Sequence, residues 1–454
     1  MPKRIFTLFC LALLALAPAV AAQAQGQRLN LIRDAEIENT IRTFVTPIWK
    51  AAGLDPSAVE IMIVQDNSLN AFVAGGQRIF IHTGLIMRTE TPNQLIGVLA
   101  HETGHIAGGH LARMQEELSN LSTMQILESL IGAGIMAGGA ASGGGAGRSP
   151  TGPAGAPVSG SLLAFLHYSQ TQESSADQAS ISYLQRTQQS PKGSLEFLRF
   201  LQKEERMLIG RRDPYLTTHP LTPERISIFE EALARSPYAN TPDTPAFLDM
   251  HHRMVAKLMG FITPATALQR FSEADRSVPA RYARAIALYR SGALGSALLT
   301  LDGLLKESPN DPYFHELRGQ MLFENGKIGE SIVSYRRAAQ LLPGVGVVKI
   351  DFARALLESN QPDADREAVR NLEQAAQTES GSFDLWRLLA SGYSKLNNPG
   401  MTSLARAEMA IIRGNRAEAQ SHAAAAERQL TAGTPAWQRA QDIKAYISTR
   451  PRKK

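Results

Sequence analysis

The chain has 454 residues, more than one typical domain needs, and 44% of them are hydrophobic, so it can build more than one buried core. Its 47 lysines and arginines exceed its 42 aspartates and glutamates by a formal net charge of only +5. No basic stripe interleaved with aromatic residues accompanies this excess, so the composition argues against a nucleic-acid-binding protein.

Residues 1–24 have the features of a secretory signal peptide. A basic start precedes an apolar run from Ile5 to Leu16, and we expect cleavage near Ala22 or Ala24. The single cysteine, Cys10, lies in the segment to be removed, which excludes disulfides, thiolate zinc ligands and a cysteine nucleophile from the mature protein. The sequence therefore predicts export, and a retained signal anchor is the alternative.

Helix and strand patterns open the mature chain. Apolar residues at helical spacing predict a helix from Asp34 to Lys50. β-Branched stretches at 58–64 and 78–82, with residues 69–73 between them and a turn at Gly75-Gly76, predict a small, mostly antiparallel sheet.

The next helix carries a motif typical of metal sites. A Thr-Pro pair at 91–92 predicts its start, and the apolar pattern predicts that it runs to about Leu118. His101 and His105 lie one turn apart on one face, close enough for both rings to reach one ion. Glu102, on the neighbouring flank, can take a proton from a zinc-activated water and pass it to a leaving amine, as peptide hydrolysis requires. A chance occurrence on an ordinary amphipathic helix is the alternative.

A segment of unusual composition follows. Apolar residues from 119 lead into a Gly/Ala/Ser/Pro tract at 137–160, and no stretch approaches the roughly 20 apolar residues of a membrane span. We interpret the segment as a partly ordered helical hairpin with a flexible surface loop. An active-site flap, or peripheral contact with a membrane through 119–160, is the alternative. Helical patterns return at 162–186 and 193–208.

Glu173 is the candidate third ligand, on the helix predicted at 162–186. Two histidines, one glutamate and an open water position form a catalytic zinc arrangement. Asp177, one turn further on the same face, can accept a hydrogen bond from the free ring nitrogen of a zinc-bound histidine. The sequence therefore predicts one zinc ion per chain, held by His101, His105 and Glu173. A solvated acidic helix face is the alternative.

These two motifs together resemble the M48 family of zinc metallopeptidases, in which the second motif supplies the glutamate ligand. The likeness covers roughly residues 34–231 and implies an α+β, zincin-like domain, mostly helical with a small sheet. It also implies that Asn70, Ala71 and Phe72 lie on an edge strand that binds an extended substrate as an added strand. Because the chain lacks the transmembrane helices of the membrane-embedded branch, it is similar to the periplasmic, β-barrel assembly-enhancing type.

Two further histidines require separate interpretation. His110, five residues past His105, would lie about 500° around a continuous helix and so should not point with the two ligands; we interpret it as a packed or exposed histidine. His219 precedes Pro220 in a loop, which favours a projecting side chain. By analogy with other gluzincins, the zinc peptidases that use a glutamate as third ligand, His219 has two possible roles. It either stabilises the developing oxyanion, or occupies the fourth zinc position and holds the enzyme latent. An ordinary loop histidine is the alternative.

The second half of the chain contains repeats. Four positions have the same or a comparable residue 34 positions later: Gly292 and Gly326, Ala297 and Ser331, Leu301 and Tyr335, and Pro309 and Pro343. This period resembles that of tetratricopeptide repeats, whose helix pairs stack into a superhelix with a concave surface suited to holding a protein segment. An array that only braces the protease domain is the alternative.

The predicted organisation is a signal peptide at 1–24, an M48-like zinc metallopeptidase domain at 25–265 and an all-α tetratricopeptide solenoid at 266–454. We predict a periplasmic zinc endopeptidase for protein quality control or outer-membrane protein assembly. Its repeats would recruit misfolded envelope or outer-membrane proteins as substrates and contact the outer-membrane assembly machinery. The alternative is a chaperone-like assembly factor or binding scaffold with a largely latent protease site.

Overall fold

The computed structural model of the chain describes residues 29–112, 170–207 and 214–449. The predicted signal peptide, the segment 119–160 with its tract at 137–160, and the first residues of the helix predicted at 162–186 lie outside the described residues. Across the three described ranges, no helix is both long enough and apolar enough to cross a bilayer.

Four short strands form one mixed sheet. They are β1 (Leu31–Ile32), β2 (Glu60–Val64), β3 (Ala71–Ala74) and β4 (Arg78–His82). Their order is β1-β2-β4-β3, with antiparallel pairs β1/β2 and β3/β4 and a parallel pair β2/β4. The β3/β4 hairpin turns at Gly75 and Gly76, whose φ angles of 62° and 96° favour glycine. The prediction of a small, mostly antiparallel sheet is confirmed, and β3 is a terminal strand.

Helices surround this sheet. They are α1 (Ala35–Ala51), α2 (Thr83–Arg88), α3 (Pro92–Ala107), α4 (Gln170–Arg186), α5 (Lys192–Met207), α6 (Pro214–Thr218) and α7 (Pro223–Arg235). α1 begins where the sequence predicts, because the Asp34 side chain accepts a hydrogen bond from the backbone N–H of Ile37 at 2.9 Å.

The histidine-bearing helix α3 ends earlier than predicted. The sequence pattern extended it to about Leu118, but it stops at Ala107. Gly108 and Gly109 follow, and Gly109 takes a φ of +63°, a left-handed conformation that terminates α-helices. Residues 110–112 are helical again.

The rest of the described chain is helical. Its helices are α8 (Pro245–Ile262), α9 (Pro264–Arg270), α10 (Val278–Arg290), α11 (Leu294–Glu307), α12 (Pro312–Glu324), α13 (Ile328–Leu341), α14 (Gly346–Glu358), α15 (Pro362–Glu379), α16 (Phe383–Lys395), α17 (Pro399–Ile412), α18 (Arg416–Gln429) and α19 (Pro435–Thr449). α12 begins 34 residues after α10, and α13 begins 34 residues after α11. The helix bounds therefore follow the period of the sequence.

The core beneath the sheet continues into α8. Phe44 of α1, Ile81 of β4 and Leu95 of α3 belong to the same buried cluster as Met254 and Leu258 of α8. α8 also packs on α10, the first helix of the 34-residue pattern. The histidine-bearing helix and the repeats are thus joined through one shared helix.

Candidate metal centre

α3 and α4 cross closely at Gly104, inside the His-Glu-x-x-His motif. A Cβ atom at Gly104 would lie 2.8 Å from the carbonyl oxygen and 2.9 Å from the Cα of Ala176, distances that a real side chain does not tolerate. The missing side chain therefore allows the two helices to approach. Glu173 and Asp177 of α4 are thereby brought next to His101 and His105 of α3.

Four potential ligand atoms converge in this crossing. His101, His105, Glu173 and His219 each offer one ligand atom, and these atoms all lie within 4.8 Å of one another. His105 Nε2 lies 3.1 Å from His101 Nε2 and 3.3 Å from Glu173 Oε1. All four residues are buried. The structure thus brings together the three ligands predicted from the sequence and adds His219.

Glu102 lies beside this cluster as a fully buried carboxyl group. Neither of its oxygens accepts a hydrogen bond from the described part of the chain, and Oε1 is 3.4 Å from His219 Nε2. Burial raises the pKa of Glu102 above its ordinary value, although the nearby His219 and His101 act in the opposite direction. A raised pKa suits a group that must both accept and return a proton.

Asp177 lies on the side of His101 away from the cluster. Its Oδ1 is 2.8 Å from His101 Nδ1, the contact that the sequence predicted for it. Burial alone would raise the pKa of Asp177, but the adjacent His101 and Arg225 lower it below its ordinary value. The ionised carboxylate can then hold the proton of His101 on Nδ1 and leave Nε2 free to bind a metal.

Arg225, from the first turn of α7, supplies the positive charge beneath the two carboxylates. Its Nε and Nη2 donate to Asp177 at 2.7 and 2.9 Å, and its Nη1 lies 2.6 Å from Glu173 Oε2. Arg225 is not among the site residues predicted from the sequence. Its contact with both acids depends on the packing of α7 against α4, which the local pattern does not encode.

His219 lies directly over the ligand atoms. Its Nδ1 is 2.9 Å from Glu173 Oε1 and 3.4 Å from His101 Nε2, and its Nε2 is 3.2 Å from the carbonyl oxygen of Ala71. The ring of Tyr215 packs on it with centroids 4.7 Å apart. A nitrogen of His219 therefore belongs to the same group of potential ligand atoms as His101, His105 and Glu173.

The predicted substrate-binding residues lie at the start of β3 and are all buried. Ala71 touches the cluster through its carbonyl contact with His219. Asn70 Oδ1 accepts from Thr218 Oγ1 at 3.4 Å, while the ring of Phe72 stacks on Phe80. The loop after α6 therefore covers the beginning of the terminal strand.

His110 is buried, one of the two alternatives in the sequence interpretation, and it contacts a predicted ligand. Its Nδ1 lies 3.0 Å from His105 Nδ1. The angular argument missed this contact because it assumed a continuous helix, whereas α3 ends at Ala107.

The cluster has the charge and donors that a divalent cation requires. Burial would lower the pKa of His101, but Glu173 and Asp177 raise it to about 10, so this position favours positive charge. Two imidazoles and one carboxylate are the donor set of catalytic zinc sites. The residues present therefore fit a metal ion.

Comparisons with known proteins agree with this geometry. Residues 32–233 match the family model of Peptidase family M48. A relative from Escherichia coli (strain K12), named β-barrel assembly-enhancing protease, is 24% identical over 412 residues, which cover 89% of this chain and 81% of the relative. A relative of the same name from Yersinia pestis is 24% identical over 86% of this chain and 79% of its own length. A Vibrio cholerae relative that carries the name provisionally is 25% identical over 78% of this chain and 72% of its own length.

A solved structure with partial likeness is that of yeast Tom70. It is 12% identical and covers 80% of this chain and 85% of its own, with a TM-score of 0.28.

Proposed function

We propose that this chain, whose residues 32–233 match the model of Peptidase family M48, is a zinc endopeptidase acting on proteins of the bacterial envelope. The family match and the named relatives support a metalloprotease, and the ion, the residue roles and the substrates are our proposal. One observation carries it: the ligand atoms of His101, His105, Glu173 and His219 converge in a buried site beside Glu102.

His101, His105 and Glu173 would hold the ion. When bound, zinc would supply Lewis-acid polarisation of a water molecule and of the scissile carbonyl. Asp177 and Arg225 keep the His101 ring and the Glu173 carboxylate in place through the contacts described above. This support reduces the reorganisation needed when substrate binds.

Glu102 would serve as the general base and acid. It would take a proton from the attacking water and deliver it to the nitrogen of the departing amine. Its raised pKa brings it closer to the pH at which the enzyme works, and its lack of a hydrogen-bond donor among the described residues leaves both oxygens ready for the water.

An extended substrate would add to the edge of β3 at Asn70, Ala71 and Phe72. The terminal position of β3 in the sheet supports this assignment. Because Ala71 is buried and His219 lies on its carbonyl oxygen, the loop after α6 must move before a substrate strand can pair there. The same movement would withdraw His219 from the ligand atoms.

We propose that His219 holds the resting enzyme latent. Of the two roles considered from the sequence, occupation of the fourth metal position has the support of its Nδ1 lying 2.9 Å from Glu173. Once displaced, its ring would lie near the reacting carbonyl and would be available to stabilise the oxyanion.

The cellular location and role that we propose are based on the names of the relatives. Proteins that cover most of this chain are named β-barrel assembly-enhancing proteases, so we propose periplasmic protein quality control or outer-membrane protein assembly. The repeats would recruit misfolded envelope proteins, or the outer-membrane assembly machinery, because stacked helix pairs present extended surfaces for protein segments.

Metal content and casein cleavage test the enzyme proposal. We expect about one zinc per wild-type chain, and cleavage that stops with a chelator and in Glu102→Gln, which should still bind zinc. We expect His219→Ala to raise basal cleavage and alter zinc affinity. Wild-type protein without zinc would overturn the proposal, and unchanged activity and affinity in His219→Ala would remove the latency role alone.

The position of His219 also favours a second candidate, a chaperone-like assembly factor whose protease site is largely latent. Complementation of a strain lacking the gene distinguishes the two. For the endopeptidase, Glu102→Gln fails to complement. For the assembly factor, Glu102→Gln complements while deletion of the repeats does not.

A further inference from the structure

The Nδ1 atoms of His105 and His101, on the side of each ring away from the ligand cluster, contact different groups. His101 Nδ1 faces the carboxylate of Asp177, whereas His105 Nδ1 faces another imidazole, His110 Nδ1, at 3.0 Å. The two rings of the His105–His110 pair are nearly perpendicular, with centroids 5.0 Å apart. Both side chains are at most 2% exposed.

This geometry assigns a direction to the hydrogen bond. His105 directs Nε2 toward Glu173 and His101, so Nε2 is the nitrogen available to a metal and must be unprotonated. A neutral imidazole then carries its proton on Nδ1, where it needs an acceptor. His110 Nδ1 is at the right distance to be that acceptor, with the proton of His110 on its own Nε2.

The backbone is shaped to bring His110 there. Gly109, with its φ of +63°, ends α3 and turns the chain back toward His105. The His110 ring folds over Gly108 so tightly that a Cβ on Gly108 would lie 2.5 Å from His110 Nε2. A side chain at Gly108 would press on the His110 ring, and one at Gly109 would strain the backbone, so both glycines favour this placement of His110.

We propose that His110 is a positioning residue that accepts the Nδ1 proton of His105 and so orients its Nε2 toward the metal. The inference rests on the proposed function, because it requires that His105 is a ligand. Partners of this kind affect metal affinity by about 10- to 100-fold when removed.

Two substitutions separate this role from simple packing. His110→Asn keeps an acceptor oxygen near the place of Nδ1 but loses ring volume. His110→Leu keeps volume and loses the acceptor. If His110 only fills space, Leu is the better replacement, whereas a positioning role makes Asn better.

The experiment measures zinc affinity by competition with a chromophoric chelator, together with the visible spectrum of the cobalt-substituted protein. We expect about 10- to 100-fold weaker zinc binding and a shifted cobalt spectrum in His110→Leu, with recovery toward wild type in His110→Asn. Gly108→Ala should also weaken binding, because its methyl group displaces the His110 ring. The exposed His252→Leu is the control and should match wild type.

Each outcome has a definite meaning. Equal or tighter zinc binding in Leu than in Asn overturns the positioning role and leaves the proposed function intact. Wild-type protein that binds no zinc overturns both. Should His110→Leu fail to fold, as judged by circular dichroism of the metal-free protein, His110→Asn and Gly108→Ala decide alone. Wild-type zinc affinity in Gly108→Ala, or zinc binding weaker than wild type by about 10-fold or more in His110→Asn, then contradicts the proposal.

Discussion

Side chains of the candidate metal centre are oriented by hydrogen bonds to neighbouring buried residues. Asp177 orients His101, and Arg225 in turn holds Asp177 through two hydrogen bonds. Because each group is buried, losing one partner would leave a polar atom without compensation. The His101 ring is therefore held in one orientation by its neighbours, which would favour tight and geometrically defined binding of the proposed ion.

A residue away from the site supplies a pH prediction. His251 of α8 is buried, with Nε2 2.9 Å from Thr89 Oγ1, and burial lowers its pKa from 6.5 to about 4. The unfolded chain therefore binds a proton at a higher pH than the native state does. Stability linked to His251 is full above pH 6.5 and is lost as the pH falls toward 4.

We expect His251→Asn to weaken the acid sensitivity of the metal-free protein. Between pH 7 and pH 5 the wild type should lose about 2 kcal/mol more unfolding free energy than the variant, as measured by urea denaturation. The exposed neighbour variant His252→Asn should follow the wild type. Parallel pH profiles for wild type and His251→Asn would contradict the prediction.

Among the elements, the crossing of α3 and α4 decides whether the two halves of the site meet. The motif glycine, Gly104, has no room for a side chain against Ala176. The helix-forming tendency of alanine would favour Gly104→Ala in an isolated helix, but the close approach reverses that preference.

We predict that Gly104→Ala pushes α4 away and separates Glu173 from the histidines. Overpacking should reduce unfolding free energy by about 1–3 kcal/mol, and zinc affinity should fall with it. Gly303→Ala in α11 is the matched control, since a Cβ there meets no atom within 4 Å, and it should be neutral or slightly stabilising. Thermal unfolding and chelator competition measure both quantities; equal results for the two variants would refute the argument.

Over the whole molecule, a buried charge cluster joins the peptidase half to the repeats. Lys257 of α8 is 3% exposed, and its Nζ lies 2.8 Å from Asp34 Oδ2, 3.3 Å from Glu36 Oε2 and 3.8 Å from Glu316 Oε2. Asp34 and Glu36 begin α1, whereas Glu316 belongs to α12. Arg253, one turn earlier on α8, likewise bridges Glu36 and Asp311.

Removing the ammonium group of Lys257 should destabilise the contact between these helices. Lys257→Met removes the buried cation that Asp34, Glu36 and Glu316 share, so we expect a loss of about 3–5 kcal/mol in unfolding free energy. Lys327→Met, which removes an exposed ion pair with Glu330, should cost less than about 1 kcal/mol. Urea unfolding of both variants is the measurement, and an equally small effect in both would show that the cluster contributes little.

The same charge cluster affects the interpretation of a truncation that removes the repeats. A chain ending near residue 262 keeps Arg253 and Lys257 but loses Asp311 and Glu316, their partners in the repeats. Loss of activity in such a truncation would therefore combine missing repeats with a destabilised α1 and α8. The casein cleavage by the truncated chain should therefore be compared with that by Lys257→Met. Only then can the loss of activity be attributed to missing substrate recruitment.

The sequence by itself determined the local chemistry. The one-turn spacing of His101 and His105 follows from the regular geometry of a helix, and the 34-residue period follows from the recurrence of one helix pair, so both are visible in the sequence. The spacing of Glu173 and Asp177 on a second predicted helix added a third ligand and its neighbour, and the two motifs together resembled M48 peptidases. Location, the boundaries 25–265 and 266–454, and the residue roles stay predictions.

Only the tertiary structure decided which distant groups meet. His219, Arg225 and Ala71 reach the centre from three different elements, and their positions depend on how those elements pack rather than on any local period. His110 shows the same limit at short range, because a turn at two glycines replaced the helix that the spacing argument assumed. Periodicity describes one element at a time, whereas a site is built where several elements cross.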